Sequence, residues 1–168
     1  SSQGTDATTR LRMIRTLALA SGSRGMAGGQ ALDLEATGQQ LNIAELEDMH
    51  IHKTGALIRA SVVLGAVCGD EVDNAQLARL DHYAKCIGLA FQIRDDILDV
   101  EGETETLGKH TGMDQHREKS TYPALIGLDA ARERSRELHA DAMDSLSGFN
   151  ERADPLRWIS AYIIERER

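Results

Sequence analysis

The sequence predicts an all-α fold, a helical bundle in a single domain over residues 1–168. Aromatic residues make up only 4% of the chain and two prolines interrupt it, a composition that suits helices and not a sandwich or barrel. Apolar residues recur at helical spacing through most of the length, and no stretch alternates as a strand would. A chain near this size buries roughly 70% of its unfolded surface, enough for one real core.

The elements follow in order. Residues 6–20, DATTRLRMIRTLALA, place Leu11, Ile14, Leu17 and Ala18 on one stripe, with Thr5 or Asp6 as cap. In SGSRGMAGGQALDLEATG the glycines at 22, 25, 28 and 29 would each weaken a helix by roughly 1 kcal/mol unless a close backbone approach compensates, so a packed, glycine-lined helix is expected there. Residues 43–67 read as one long helix, acidic at Glu45, Glu47 and Asp48 and apolar toward its end. Asp73 or Asn74 starts a second long helix, carrying Leu77, Leu80, Ala84, Ile87 and Phe91 and running to Val100. Residues 101–119 carry no apolar period and read as a long loop. Helical patterning resumes at STYPALIGLDAARERSRELHADAMDSL, with Ser120 or Thr121 as cap and Pro123 in the first turn. Its ARERSRELHAD run reads as an exposed, salt-bridged face. A last helix is expected after Asp154 as cap, with Pro155 behind it.

A formal charge of -8 argues against generic nucleic-acid binding, which needs a clustered basic excess. Cys68 and Cys86 lack metal spacing and are expected to be buried, reduced thiols. The longest apolar run, ASVVLGAV, is far short of a membrane span, and the first residues lack a signal-peptide layout. A cytoplasmic location is the expectation.

The informative stretch is FQIRDDILDV, residues 91–100. On a helix Gln92, Asp95 and Asp99 share a stripe, while Asp96 points about 100° away. Like charges one turn apart repel, and the apolar neighbours enlarge the penalty by desolvation. Taken alone, a DDxxD spacing reads more readily as a solvated acidic face. Lys53 beside TGALIRA, Lys119 beside TYPAL and Lys109 in the long loop shift that weighting, because three lysines and a carboxylate face suit a polyphosphate bridged by Mg2+. The GETETLGKH segment is not a P-loop: its glycine spacing is one too long, and His110 replaces the hydroxyl residue. His50 and His52 face different sides of a helix and do not form a chelating pair; His110 and His116 read as solvated.

GGQALDLEATG, HKTGALIRAS, GLAFQIRDDILDV, TLGKHTGMDQ and KSTYPAL resemble, in order and spacing, the bacterial farnesyl diphosphate synthases, the short-chain trans-isoprenyl diphosphate synthases. That resemblance covers the whole chain and implies an isoprenoid-synthase bundle, here its C-terminal helices. It implies a Mg2+-dependent transferase that joins isopentenyl diphosphate to dimethylallyl or geranyl diphosphate, giving geranyl or farnesyl diphosphate. The allylic diphosphate leaves, the alkene attacks the carbocation and a proton is lost. By motif, Asp95 is implied as a direct Mg2+ ligand, and Asp96 and Asp99 as direct or water-mediated ones. Lys53, Thr54 and Lys109 are implied to hold the allylic diphosphate, with Gln92 steadying the cation and Lys119 adding charge. Gln30 and Asp33 are implied to support the metal shell from behind. Phe91, Ile93, Leu57 and Ile58 are candidates for an apolar wall, though ordinary core packing explains each of them.

One departure matters. The only adjacent aspartate pair is Asp95–Asp96, so the family's first aspartate-rich motif, its arginine pair and its isopentenyl diphosphate residues are expected upstream of Ser1. The chain should therefore be inactive alone, pair with the missing half of the bundle, and associate, as a homodimer or otherwise, through apolar helix faces. The alternative is a non-catalytic helical partner or regulatory subunit that retains diphosphate binding. A terpene cyclase fits less well, because its second metal motif is absent.

Overall fold

The computed structural model describes residues 6–69, 72–107 and 120–166, with the backbone path alone over 103–107. Among the described residues every regular element is helical: α1 Ala7–Ser21, α2 Met26–Glu35, α3 Ile43–His50, a π turn Ile51–Gly55, α4 Ala56–Val67, α5 Asn74–Leu107, α6 Tyr122–Ile126, α7 Leu128–Ser145, a 3-10 turn Glu151–Ala153 and α8 Asp154–Glu165. None is long and apolar enough to cross a membrane.

Local chemistry sets the helix starts. Asp6 accepts from the Thr8 and Thr9 amides at 2.8 and 3.1 Å and opens α1. A capping box opens α3, with Asn42 Oδ1 accepting from Glu45 N and Glu45 Oε2 accepting from Asn42 N. Asp73 accepts from Gln76 N at 2.7 Å at the start of α5, and Thr121 caps α6 with Pro123 in its first turn.

The core is centred on α5, which packs against α7, α4, α8 and the π turn. Leu80, Tyr83, Ala84, Ile87, Ala90, Ile93 and Ile97 are buried along it, each large side chain worth roughly 1.5–3 kcal/mol by removal from water. From α7, the stripe Ala131, Ser135, Leu138, Ala142 faces that core. The salt bridges expected on α7 are present, Arg134 with Glu137 and Arg136 with Glu133, but they cover only the outer side of a helix that is buried on the other.

Several expectations need correction. Residues 43–67 are continuous but not one α-helix, since the π turn interrupts them. The helix expected to stop at Val100 continues to Leu107, so residues 101–107 are not loop; the remainder of that segment lies outside the described residues. Gly127, at φ +88, splits α6 from α7 where one helix was expected. Asp154 is the first residue of α8, not its cap; its carboxylate accepts from Arg157 at 2.5 Å. Cys86 is buried as expected, but Cys68 lies just past the end of α4 and is exposed.

Candidate functional site

The site is built where two glycines let backbones meet. A Cβ on Gly29 of α2 would stand 2.1 Å from the Lys53 amide nitrogen, and one on Gly88 of α5 would stand 3.2 Å from the Gly55 Cα. No side chain at position 29 fits that gap. Gly29, which costs helix propensity, thus brings α2 directly onto the π turn, and α5 packs on the same turn through Gly88. A π turn adds one residue to a helical circuit and re-aims the side chains in it, a device frequent at functional sites. Here those side chains include Lys53 and Thr54.

Lys53 Nζ donates to Asp33 Oδ2 at 2.6 Å, with Asp33 only 8% exposed. Asp33 therefore holds the ammonium from behind. Gln30, one turn earlier on α2, is exposed.

On α5, Gln92 lies one turn beyond the crossing at Gly88, about 6 Å along the axis. Its Nε2 donates to Asp95 Oδ2 at 3.2 Å, so the amide and carboxylate of the stripe stand together. The other oxygen, Asp95 Oδ1, pairs with the guanidinium of Arg166, the residue that closes α8. Asp99 continues the stripe and is exposed.

Asp96 turns elsewhere. Its Oδ2 accepts from the Tyr122 amide at 2.9 Å and lies 3.5 Å from His50 Nε2, while the His50 and Tyr122 rings stack with centroids 6.3 Å apart. The Tyr122 hydroxyl donates to Glu47. Burial, and then the hydrogen bond to Glu47, push the Tyr122 phenol well above its ordinary range, so it stays a donor. His50 and His52 make no chelating pair: the first is buried beside Asp96, and the second lies against Asp48 with its Nδ1 2.8 Å from the Asp48 carbonyl.

The fold thus brings Asp33 to Lys53 and Gln92 to Asp95, sets Thr54 beside Lys53, and directs Asp96 inward. Lys109, Lys119, His110 and His116 lie outside the described residues. Sequence reasoning missed Arg166, Tyr122, His50 and Glu47. TYPAL carried a signal, since a tyrosine in an apolar run needs a partner for its hydroxyl; nothing local marked Arg166. Of the apolar candidates, Ile93 is fully buried and Ile58 packs on the core cluster. Phe91, half-buried, lies under the Arg166 guanidinium at 4.3 Å from its ring centroid.

The donor set suits a hard divalent cation. Asp95 and Asp99 offer carboxylate oxygens and Gln92 an amide oxygen on one stripe. Among the described residues no group of three His, Cys, Asp or Glu side chains is placed to hold a metal ion by itself. Mg2+ needs none, because it takes one or two carboxylates together with water and substrate phosphates. A cavity of about 520 Å³ lies away from these groups, between α1, α4 and α5, walled by Leu19, Val63, Leu77 and the Arg59–Asp81 pair. Asp81 sits roughly 20 Å from Asp95 along α5.

The sequence profile of the polyprenyl synthetase family matches residues 5–154. The chain belongs to the polyprenyl synthetase family. Among members of known sequence it is similar to the farnesyl diphosphate synthase of Escherichia coli K12, 52% identical over 162 residues, which cover 95% of this chain and 54% of that one. It is also similar to that of Micrococcus luteus, 41% identical over 163 residues, covering 97% of this chain and 56% of the relative. The chain spans about half the length of the curated polyprenyl synthetases it matches. Solved structures agree with the bundle. An FPP/GFPP synthase from Zymomonas mobilis superposes with a TM-score of 0.81 at 39% identity, over 94% of this chain and 52% of that one. A geranyltransferase from Helicobacter pylori, complexed with magnesium and isoprenyl diphosphate, gives 0.73 at 30% identity, over 97% and 53%. As in those members, this polyprenyl synthetase chain is all-α.

Proposed function

We propose that the chain forms one wall of a Mg2+-dependent prenyl transfer site that condenses isopentenyl diphosphate with dimethylallyl or geranyl diphosphate. The observation that carries this reading is the coincidence of the Gln92–Asp95–Asp99 stripe with a π turn that presents Lys53 and Thr54, in a chain 52% identical to a farnesyl diphosphate synthase.

Asp95 and Asp99 would hold the cation and Gln92 would steady it through its amide oxygen. When bound, Mg2+ would supply electrostatic stabilisation of the departing diphosphate. Lys53 and Thr54 bind that diphosphate, and Asp33, with Gln30 on the same helix, orients Lys53 for the task. Lys109 binds the same diphosphate with them, and Lys119 adds positive charge to it. Asp96 uses one oxygen to fasten the Tyr122 amide, at the start of α6, to α5. Preorganised cations of this kind are worth about a hundredfold or more in rate each. The working protein is read as a cytoplasmic homodimer in which the other half of each bundle supplies the isopentenyl diphosphate residues.

Calorimetry tests the site in this chain. Pyrophosphate binding should require Mg2+, and both Asp95→Ala and Lys53→Ala should weaken it at least about tenfold, the scale of one lost charge-assisted contact. Unchanged affinity in Asp95→Ala would remove the assignment. The chain alone should give no product from dimethylallyl and isopentenyl diphosphates, and turnover by pure material would overturn the half-site reading.

A further inference from the structure

We infer that Arg166 is the resident counter-cation of Asp95, a side-chain latch that occupies this carboxylate until a metal displaces it; the inference rests on the reading of Asp95 as a metal ligand.

The backbone and the side chain of Arg166 are held in opposite ways. Its carbonyl is gripped by the Arg94 guanidinium, Nε at 3.1 Å and Nη2 at 2.6 Å, and its amide closes α8 by donating to Tyr162 O at 2.9 Å. Arg94 is on α5 itself, next to Asp95, so the end of α8 is fastened to the acidic helix whatever the Arg166 side chain does.

The side chain is held by fewer contacts. Its Nη2 donates to Asp95 Oδ1 and reaches Phe91 O at 3.4 Å, while the guanidinium lies on the Phe91 ring. Its Nε is buried and has no acceptor among the described residues. Arg157, by contrast, spends both of its Nη groups, on the carbonyls of Leu146, Phe149 and Asn150 and the carboxylate of Asp154. The Arg166 pose, 15% exposed and one donor short, is sustained chiefly by the charge of Asp95, which is itself 39% exposed.

A divalent ion approaching Asp95 meets that guanidinium within contact range of the same carboxylate. Before any diphosphate is present, a guanidinium on the same carboxylate raises the electrostatic cost of metal entry, and release of Arg166 from Asp95 relieves it. Gln92 stays on the second oxygen of Asp95, which keeps the carboxylate aimed during the exchange. The latch thus screens the aspartate pair from self-repulsion in the metal-free protein and sets a threshold for metal entry.

The test uses the 168-residue chain and Mg2+ with inorganic pyrophosphate. Arg166→Gln should tighten the Mg2+ dependence of binding about tenfold or more, since one charge-assisted hydrogen bond no longer has to be broken. Arg166→Lys, cationic but without the planar fork, should fall between Gln and wild type, and Arg136→Gln, which removes a distant surface charge, should change nothing. In an isotope-labelled sample the Arg166 Nε–H resonance, identified by its absence in Arg166→Gln, should shift or broaden as Mg2+ is added. A resonance unmoved at saturating Mg2+, or unchanged or weaker Mg2+ affinity in a normally helical Arg166→Gln chain, would overturn the latch. Asp95→Asn separates the two readings: if it leaves binding intact in both backgrounds, the metal assignment fails and the latch with it. If it abolishes binding while Arg166→Gln has no effect, the latch alone fails.

Discussion

Tyr83 buries its ring on α5 at 1% exposure and keeps its hydroxyl satisfied by donating to Leu156 O at 2.7 Å on α8. Burial pushes its phenol up to about 12 from 10. In the window between those values the unfolded chain releases the proton and the folded one retains it, so unfolding is favoured as pH rises. Stability from Tyr83 is therefore intact below pH 10 and lost as pH climbs toward 12, by on the order of 2 kcal/mol. Tyr122 shifts the same way, through burial and Glu47, and steepens the fall. Tyr83→Phe should cost about 1 kcal/mol at neutral pH for the lost hydrogen bond, yet flatten the alkaline decline. Urea midpoints from pH 8 to about 12 check this; an alkaline slope equal to that of wild type would refute the burial account.

At the scale of elements, the seam between α2 and the π turn leaves no room for adjustment. Gly29→Ala sets a methyl 2.1 Å from a backbone nitrogen that cannot rotate away, so α2 must back off, carrying Asp33 from Lys53. The expected cost is about 1–3 kcal/mol, with weaker pyrophosphate binding. Gly88→Ala, at 3.2 Å from the Gly55 Cα, should cost clearly less, and denaturation of both variants tests the ranking. Equal losses would mean that the close approach does not govern the seam. Such features also mark what the sequence could reveal. The starts at Asp6, Asp73 and Thr121 were legible because a cap and its amides lie within three residues. The glycines of α2 announced a close approach without naming the partner. The π turn was hidden, because nothing in IHKTG specifies one extra residue in the turn and its packing against α2 and α5 is not written in local sequence. Asp96 and Asp95 carry adjacent, identical side chains, yet one finds Tyr122 at a separation of 26 residues and the other Arg166 at 71, and no local pattern encodes distances of that kind.

At the scale of the whole molecule, the described helices leave apolar surface uncovered. Helix α1 buries none of its residues, and its expected stripe faces outward, with Leu11, Ile14 and Leu17 exposed by 67, 65 and 50%. On α8, Trp158, Ile159 and Tyr162 are 68, 52 and 67% exposed. Single exposed apolar residues are common, but runs of them along one helix mark surfaces that are covered in use. Covering a large aliphatic side chain is worth roughly 1.5–3 kcal/mol, so a few such contacts can offset the cost of association at modest concentration. The purified chain should therefore scatter light above its 18.4 kDa mass, increasingly so with concentration. Leu11→Glu combined with Ile14→Glu should shift it toward monomer without loss of helix signal, because neither side chain contributes to the core of its own fold. Trp158→Glu tests the second face by the same readout. If the wild-type chain stays a monomer at high concentration, these faces do not drive association by themselves; if only the α1 variant dissociates it, the contact runs through α1 and α8 serves another neighbour.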